Sequence, residues 1–172
     1  MKIFFGTDHA GFQLKLKLMP FVKALGFEVF DKGAYEYDSD DDYPDFIVPV
    51  AKEVSTDSDS NESRGIIIGG SGQGEAMAAS RFPGIRAVVY YGESAPVANG
   101  EEPSALTSII KLSREHNDSN ILSLGARFIT EEEAKIAVKI WLETPFSGEE
   151  KHKRRIEKIN KALWGCYIPG NA

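Results

Sequence analysis

The sequence predicts an α/β domain built on an open parallel sheet of about five strands with helices on both faces. Three observations carry that reading. Apolar bursts alternate with helical stretches from end to end, the pattern of repeated strand–helix units. At 172 residues, with 42% hydrophobic and 10% aromatic content, the chain can build the core of one domain. The burst GIII at 65–68 is too apolar and β-branched for anything but a central strand.

The elements follow in order. Residues 2–7 (KIFFGT) read as a short buried strand. An amphipathic stretch covers 11–25, and Pro20, which lacks a backbone donor, is expected to kink or split it. After the stop signal at Gly26, residues 27–30 read as a second strand. The acidic run 38–42 reads as a solvated turn, and Tyr43-Pro44 opens a helix through residue 54, because proline suits the first helical turn. The segment 55–63 is polar, low in complexity and read as a loop. A glycine loop follows the central strand, then a small-residue helix over 75–81. Residues 85–91 and 120–124 are further strands. An amphipathic helix over 131–142 has an acidic first turn and Thr130 suited to its N-terminus. A last helix spans 148–163 and a tail covers 164–172, so the domain is expected over 1–163. Sheets of this kind bind ligands outside the carboxyl ends of their strands. Functional loops are therefore expected after Thr7, Ile68, Tyr91 and Leu124.

Composition narrows the partners. No run of about 18 apolar residues is present, and the first residues lack the pattern of a signal peptide. The single cysteine, Cys166, excludes an internal disulfide framework and a multi-cysteine zinc site and fits a reducing cytosol. With 20 Lys+Arg against 26 Asp+Glu the net charge is −6, which disfavours nucleic acid and anionic lipid. The expectation is a cytoplasmic protein that binds a small molecule, with no nucleic-acid or membrane partner.

The strongest local signal is Gly69-Gly70-Ser71-Gly72-Gln73-Gly74-Glu75, between a strand and a helix. Glycines allow backbone N–H groups to converge on an anion at a helix start. The dinucleotide fingerprint fails, because its third glycine would fall on Glu75 or Met77, and no Gly-Lys-Ser/Thr of a Walker loop is present. A carboxylate repels phosphate, so Glu75 makes more sense as a base beside an oxyanion-stabilising loop. The alternative is a plain glycine turn with Glu75 as a solvated first-turn residue. His9, in Asp8-His9 after the first strand, is a candidate phosphate donor or proton carrier, or a structural histidine. The polar cluster 113–118 is a capped loop or a site. A metal site would need two of the three histidines at close spacing, which the chain does not offer. Lys151 and Arg155, four apart in the basic run KHKRR, either form a solvated helix face or address one phosphate together.

DHAG at 8–11, DYPD at 42–45, GGSGQGE at 69–75, REHND at 114–118 and KHKRRIEKI at 151–159 together resemble the type B ribose-5-phosphate isomerases and their galactose-6-phosphate isomerase relatives. The resemblance runs in order over about residues 1–160. It implies a Rossmann-like α/β protein that pairs as a dimer, with each active site built from both subunits, and that interconverts aldose and ketose phosphates without metal or cofactor. A further pairing of dimers into tetramers stays open. Some members carry a cysteine base in a CGTG sequence, at the place of Gly69 here. Others carry a glutamate later in GGSGxGE, and this sequence is similar to those. The resemblance thus implies Glu75 as the C2-proton base. Ser71 and the backbone of Gly70, Gly72 and Gly74 would hold the developing enediolate oxygen. His116 would open the furanose ring, assisted by Asp8, with Asn117 near the enediolate and Tyr43 lining the sugar pocket. His9, Arg127, Lys151 and Arg155 would hold the phosphate.

The chain departs from the family pattern in three places. Position 151 is lysine where arginine is common, which keeps the charge and loses the bidentate fork, and Arg154 is a candidate substitute. An insertion at about 92–108 precedes His116 and is a candidate lid or specificity element. The 55–63 loop and the tail lie away from the matched motifs, so Cys166→Ser is expected to be kinetically silent. Ribose 5-phosphate is the expected substrate; galactose 6-, allose 6- and tetrose phosphates are alternatives. A non-catalytic sugar-phosphate sensor and a nucleotide-dependent enzyme are the competing classes.

Overall fold

A computed structural model describes residues 1–56, 63–92 and 108–165, with side chains described through residue 161. Most of the predicted insertion, most of the 55–63 loop, and Cys166 with the rest of the tail lie outside the described residues.

The elements are β1 (Lys2–Thr7), α1 (Phe12–Ala24), β2 (Glu28–Asp31), α2 (Pro44–Thr56), β3 (Ser63–Gly69), α3 (Gln73–Ala79), β4 (Ala87–Tyr90), α4 (Ile109–Glu115), β5 (Ile121–Gly125), α5 (Glu131–Glu143) and α6 (Glu150–Gly165). The five strands form one sheet in the order β2-β1-β3-β5-β4, and every pairing is parallel. This is the expected Rossmann-like α/β fold. Its residues alternate between two cores, as the pleat requires. Ile3, Phe5, Ile66, Ile68, Leu122 and Leu124 pack on the side of α1, α4 and α5. Phe4, Ile67 and Ile121 pack on the side of α2 and α3.

One expectation narrows and another changes. The helix of 11–25 is not split at Pro20: α1 runs through it, held by Leu18 and Val22, which are fully buried on either side. One missing backbone bond is outweighed by the burial of that face, where each large aliphatic side chain contributes about 1.5–3 kcal/mol. The cluster 113–118 is not simply a loop, because its first three residues close α4. Ile110 and Arg114, one turn apart, are both buried there, and the apolar half of that turn lies upstream of the polar residues.

Buried cations fasten the connections. Lys15 Nζ reaches Asp31 Oδ1 and the Ala34 carbonyl, each at 2.6 Å, and fixes the end of β2 beside α1. Arg64 donates to the Trp141 and Leu142 carbonyls at 3.0 and 3.1 Å, satisfying orphan groups at the C-terminus of α5. Burial lowers its pKa to about 10, so it stays charged at neutral pH. Arg114 bonds the Thr144 carbonyl at 3.2 Å and pairs with Asp118, while Trp141 Nε1 donates to Ser119 Oγ at 2.7 Å. The segment between α4 and β5 is therefore tied to the end of α5.

Candidate active site

β1 and β3 are neighbours, and their carboxyl ends are linked by Thr7 Oγ1 donating to the Ile68 carbonyl at 2.9 Å. The loop after β1 carries Asp8 and His9. Asp8 is buried, and its Oδ1 accepts from the backbone of Ala10 at 3.0 Å and Gly11 at 3.4 Å. His9 presents both its backbone N–H, at 3.1 Å, and its Nδ1, at 2.7 Å, to Asp41 Oδ1. A carboxylate only accepts, so Nδ1 carries the proton. The same bond raises the His9 pKa, and the charge of Asp8 adds to the rise. The Asp41 side chain is only 7% exposed, so the run 38–42 is not wholly a solvated turn. Asp41 is a site residue that the charge run concealed.

The loop after β3 bends around Glu75. A Cβ on Gly69 would lie 1.8 Å from Glu75 Oε1 and 2.1 Å from its Cδ. The carboxylate thus occupies the space of a side chain at position 69, and glycine there is obligatory. Glu75 is 5% exposed, and desolvation raises its pKa, with a smaller push from Asp8. The reading of Glu75 as a solvated first-turn residue is excluded by that burial. Gly72 takes φ +76° at the N-cap of α3, and its carbonyl accepts from Ser123 Oγ at 2.6 Å. The carbonyls of Gly69 and Gly70 accept from the Ala126 and Arg127 N–H groups at 2.9 and 3.1 Å. Loop carbonyls are thereby turned toward the end of β5. Ser71 Oγ accepts from the Gln73 N–H at 3.3 Å.

Two further expected residues close on this loop. The Arg127 guanidinium lies 3.2 Å from where a Cβ on Gly70 would stand, and the Tyr43 ring and hydroxyl lie 2.9 and 3.0 Å from the same point on Gly74. Asp8, His9, Tyr43, the glycine loop, Glu75 and Arg127 therefore form one cluster at the carboxyl end of the sheet. Among the described residues, Asp8, His9 and Asp41 also bring ligand atoms within 4.8 Å of one another, the spacing a cation site would use, although Asp41 already engages His9 Nδ1.

His116, Asn117, Lys151 and Arg155 are not in that cluster. His116 and Asn117 precede β5 and Arg127 follows its end, while Lys151 and Arg155 lie on α6, whose His152 packs on His116. Five residues of strand at about 3.3 Å each separate the two ends of β5 by roughly 16 Å. His116 caps α4, its N–H bonding the Leu112 carbonyl at 2.9 Å. Its ring lies flat on that of His152, with centroids 4.2 Å apart and planes 12° apart. Lys151 pairs with Glu149 at 2.7 Å, and Arg155 is exposed on the same helix. Asn117 borders a groove with Ser80, Arg86, Val88 and Ile159. The sequence showed that REHND precedes a strand and GAR follows it, yet the consequence for their separation lies in the length of β5. His152 was visible only as part of a basic run; its burial, at 2% exposure, is a tertiary fact.

Comparison with known proteins agrees over the whole fold. The family model described as Ribose/Galactose Isomerase matches residues 3–102 and 104–159. The ribose-5-phosphate isomerase B of Escherichia coli is 38% identical over 158 residues, covering 92% of this chain and 93% of the relative. That of Mycolicibacterium paratuberculosis is 37% identical over 157 residues, 91% of this chain and 88% of the relative. Among solved structures, ribose-5-phosphate isomerase B from Clostridium thermocellum superposes with a TM-score of 0.81 at 38% identity, covering 97% of this chain and all of the other. The Mycoplasma genitalium enzyme with bound ribulose-5-phosphate gives 0.80 at 35% identity, covering 94% and 95%. A match that spans nearly every described element, from β1 to α6, places this chain in the ribose/galactose isomerase family.

Proposed function

We propose that this protein interconverts ribose 5-phosphate and ribulose 5-phosphate, with Glu75 as the base and with each site shared between two copies of the chain. The observation that carries the reaction class is the Glu75 carboxylate, buried in the hollow over Gly69 beside the N–H-bearing loop. The names of the relatives, and the ribulose-5-phosphate bound in one of them, support the pentose phosphate as substrate.

The reaction begins with ring opening. The anomeric hydroxyl loses a proton and the ring oxygen gains one as the C1–O bond breaks, a net-neutral exchange assigned to His116 with Asp8. Glu75 then takes the C2 proton, and the electron pair forms the C1=C2 bond of an enediolate. The proton returns at C1 while one moves between the two oxygens, leaving the ketose. Burial tunes Glu75 for this work, since a carboxylate with a raised pKa is a stronger base. Ser71 and the N–H groups of Gly70, Gly72 and Gly74 meet the oxyanion, where one lost donor typically costs about 3–4 kcal/mol. Asn117 supports the enediolate from the other chain. The phosphate does not react, and its contacts orient the sugar.

The split within one chain supports the sharing. Arg127 and His9 lie at the carboxyl end of the sheet and Lys151 and Arg155 lie on α6 beside His116, so one phosphate would be met by all four if a second copy supplies the far half. A two-fold dimer is the simplest assembly that completes two such sites at once. The lone cysteine and acidic charge fit the cytoplasm, and among the described residues no helix is long and apolar enough to cross a membrane. A turnover panel over ribose 5-, allose 6-, galactose 6- and erythrose 4-phosphate tests the substrate. The expected result is preference for ribose 5-phosphate; preference for a hexose phosphate overturns the substrate and keeps the base.

A further inference from the structure

We propose that His152 is a positioning residue for His116, holding the plane of the ring that opens the sugar; this role rests on the ring-opening assignment made above. The two imidazoles stack face to face, 4.2 Å apart and 12° from parallel. His116 is exposed at the C-terminus of α4, whereas His152 is 2% exposed on α6. One wall of an otherwise open histidine is thus a buried ring.

That buried ring is costly as a packing element. His152 Nε2 has no hydrogen-bond partner among the described residues, and Glu149 Oε1, at 3.9 Å, is beyond bonding range. An unsatisfied buried polar atom is destabilising, a penalty that an aliphatic side chain would avoid. What an aliphatic residue would not supply is a flat π face. Such a face restricts rotation of the ring above it and attracts that ring when it becomes cationic. The stack is also built in from both sides. The Ser147 N–H donates to the Glu115 carbonyl at 3.1 Å, joining the approach to α6 to the end of α4, and the His152 N–H bonds the Glu149 carbonyl at 2.9 Å. Burial lowers the His152 pKa, and the neighbouring His116, Lys151 and Arg155 lower it further against the opposing charge of Glu149, which favours the neutral ring.

Ring opening can be separated from proton abstraction, because ribulose 5-phosphate has no furanose form. Its C1 proton exchanges with solvent deuterium through the enediolate alone. In the full-length protein, His152→Ala is expected to lower conversion of ribose 5-phosphate about ten- to a hundredfold, the scale of a misplaced catalytic group. Deuterium exchange at C1 of ribulose 5-phosphate should stay within about twofold of the parent protein. His152→Phe, which restores a flat ring without nitrogen, should recover most of the loss, and His116→Gln should show the same split between the two readouts. Equal loss of both readouts in His152→Ala, no loss of either, or no recovery with phenylalanine overturns the positioning role. A His116→Gln variant with full ribose 5-phosphate turnover overturns it as well. A parent protein that neither isomerises nor exchanges removes the isomerase assignment itself.

Discussion

Glu75 and Gly69 share one space: the carboxylate of the first fills the position that a Cβ on the second would occupy, 1.8 Å from Oε1. The buried carboxylate and the absence of a side chain six residues earlier are therefore one feature. A side chain on position 69 and the carboxylate of residue 75 would compete for the same hollow from two sides of a loop.

Glu75→Gln is expected to lower turnover of ribose 5-phosphate by about 10²–10⁴, the usual contribution of a general base, with circular dichroism unchanged. Its pH signature follows from burial. The pKa of Glu75 is raised above 4.5, so activity falls on the acid side at a pH higher than an ordinary carboxylate would give. The same shift makes ionised Glu75 a cost to folding that is fully present above the folded-state pKa and absent below the unfolded one. Glu75→Gln should accordingly raise Tm at pH 7, with the gain disappearing near pH 4.

Gly69→Cys should inactivate the protein by evicting the carboxylate, since overpacking a filled site costs about 1–3 kcal/mol or displaces the group that fills it. Adding Glu75→Ala to Gly69→Cys empties the hollow for the thiol. That pair is expected to regain measurable turnover and to become sensitive to iodoacetamide, which leaves the parent protein's rate unchanged.

Asp41→Asn tests the histidine clamp. Loss of the 2.7 Å bond removes the main cause of the raised His9 pKa, so the cationic fraction at pH 7.5 falls. KM for ribose 5-phosphate should rise severalfold there with kcat little changed, and the difference should fade as the pH falls far enough to protonate His9 in both proteins. Stability follows the same sign. The His9–Asp41 pair stabilises the folded state below the unfolded histidine pKa and loses that effect as pH rises through the folded one, so the variant's deficit in Tm should be largest in mild acid.

Arg155→Ala should raise KM more than Lys151→Ala, because Lys151 is already paired with Glu149 at 2.7 Å and Arg155 presents a planar, bidentate donor. A kcat that falls with unchanged KM in both variants would assign them to the chemistry and not to phosphate binding.

The sheet and most helices were legible because each had a strong local pattern. GIII, the acidic first turn after Thr130 and Pro44 at a helix start all appear where expected. What escaped was tertiary. α4 was hidden because its buried pair, Ile110 and Arg114, mixes an aliphatic residue with a cation whose partners lie at Asp118 and Thr144. Asp41 looked like any acidic residue in a run of four, and only the fold turns it toward His9. The glycine loop was legible from its own pattern and Tyr43 and Arg127 only through the family resemblance, while the distance from Arg127 to His116 depended on strand direction. Strand order likewise has no local signature, since β5 lies between β3 and β4.

The five-residue length of β5 also governs what two damaged proteins can do for each other. If each pocket takes Glu75 from one chain and His116 from another, a Glu75→Gln chain paired with a His116→Gln chain forms one pocket with both lesions and one with none. Equal mixtures of the two inactive proteins, refolded together, should therefore recover about a quarter of parental activity, the statistical yield of intact pockets under two-fold pairing. Intragenic complementation of that kind would be written into the protein by nothing more than the span of one strand.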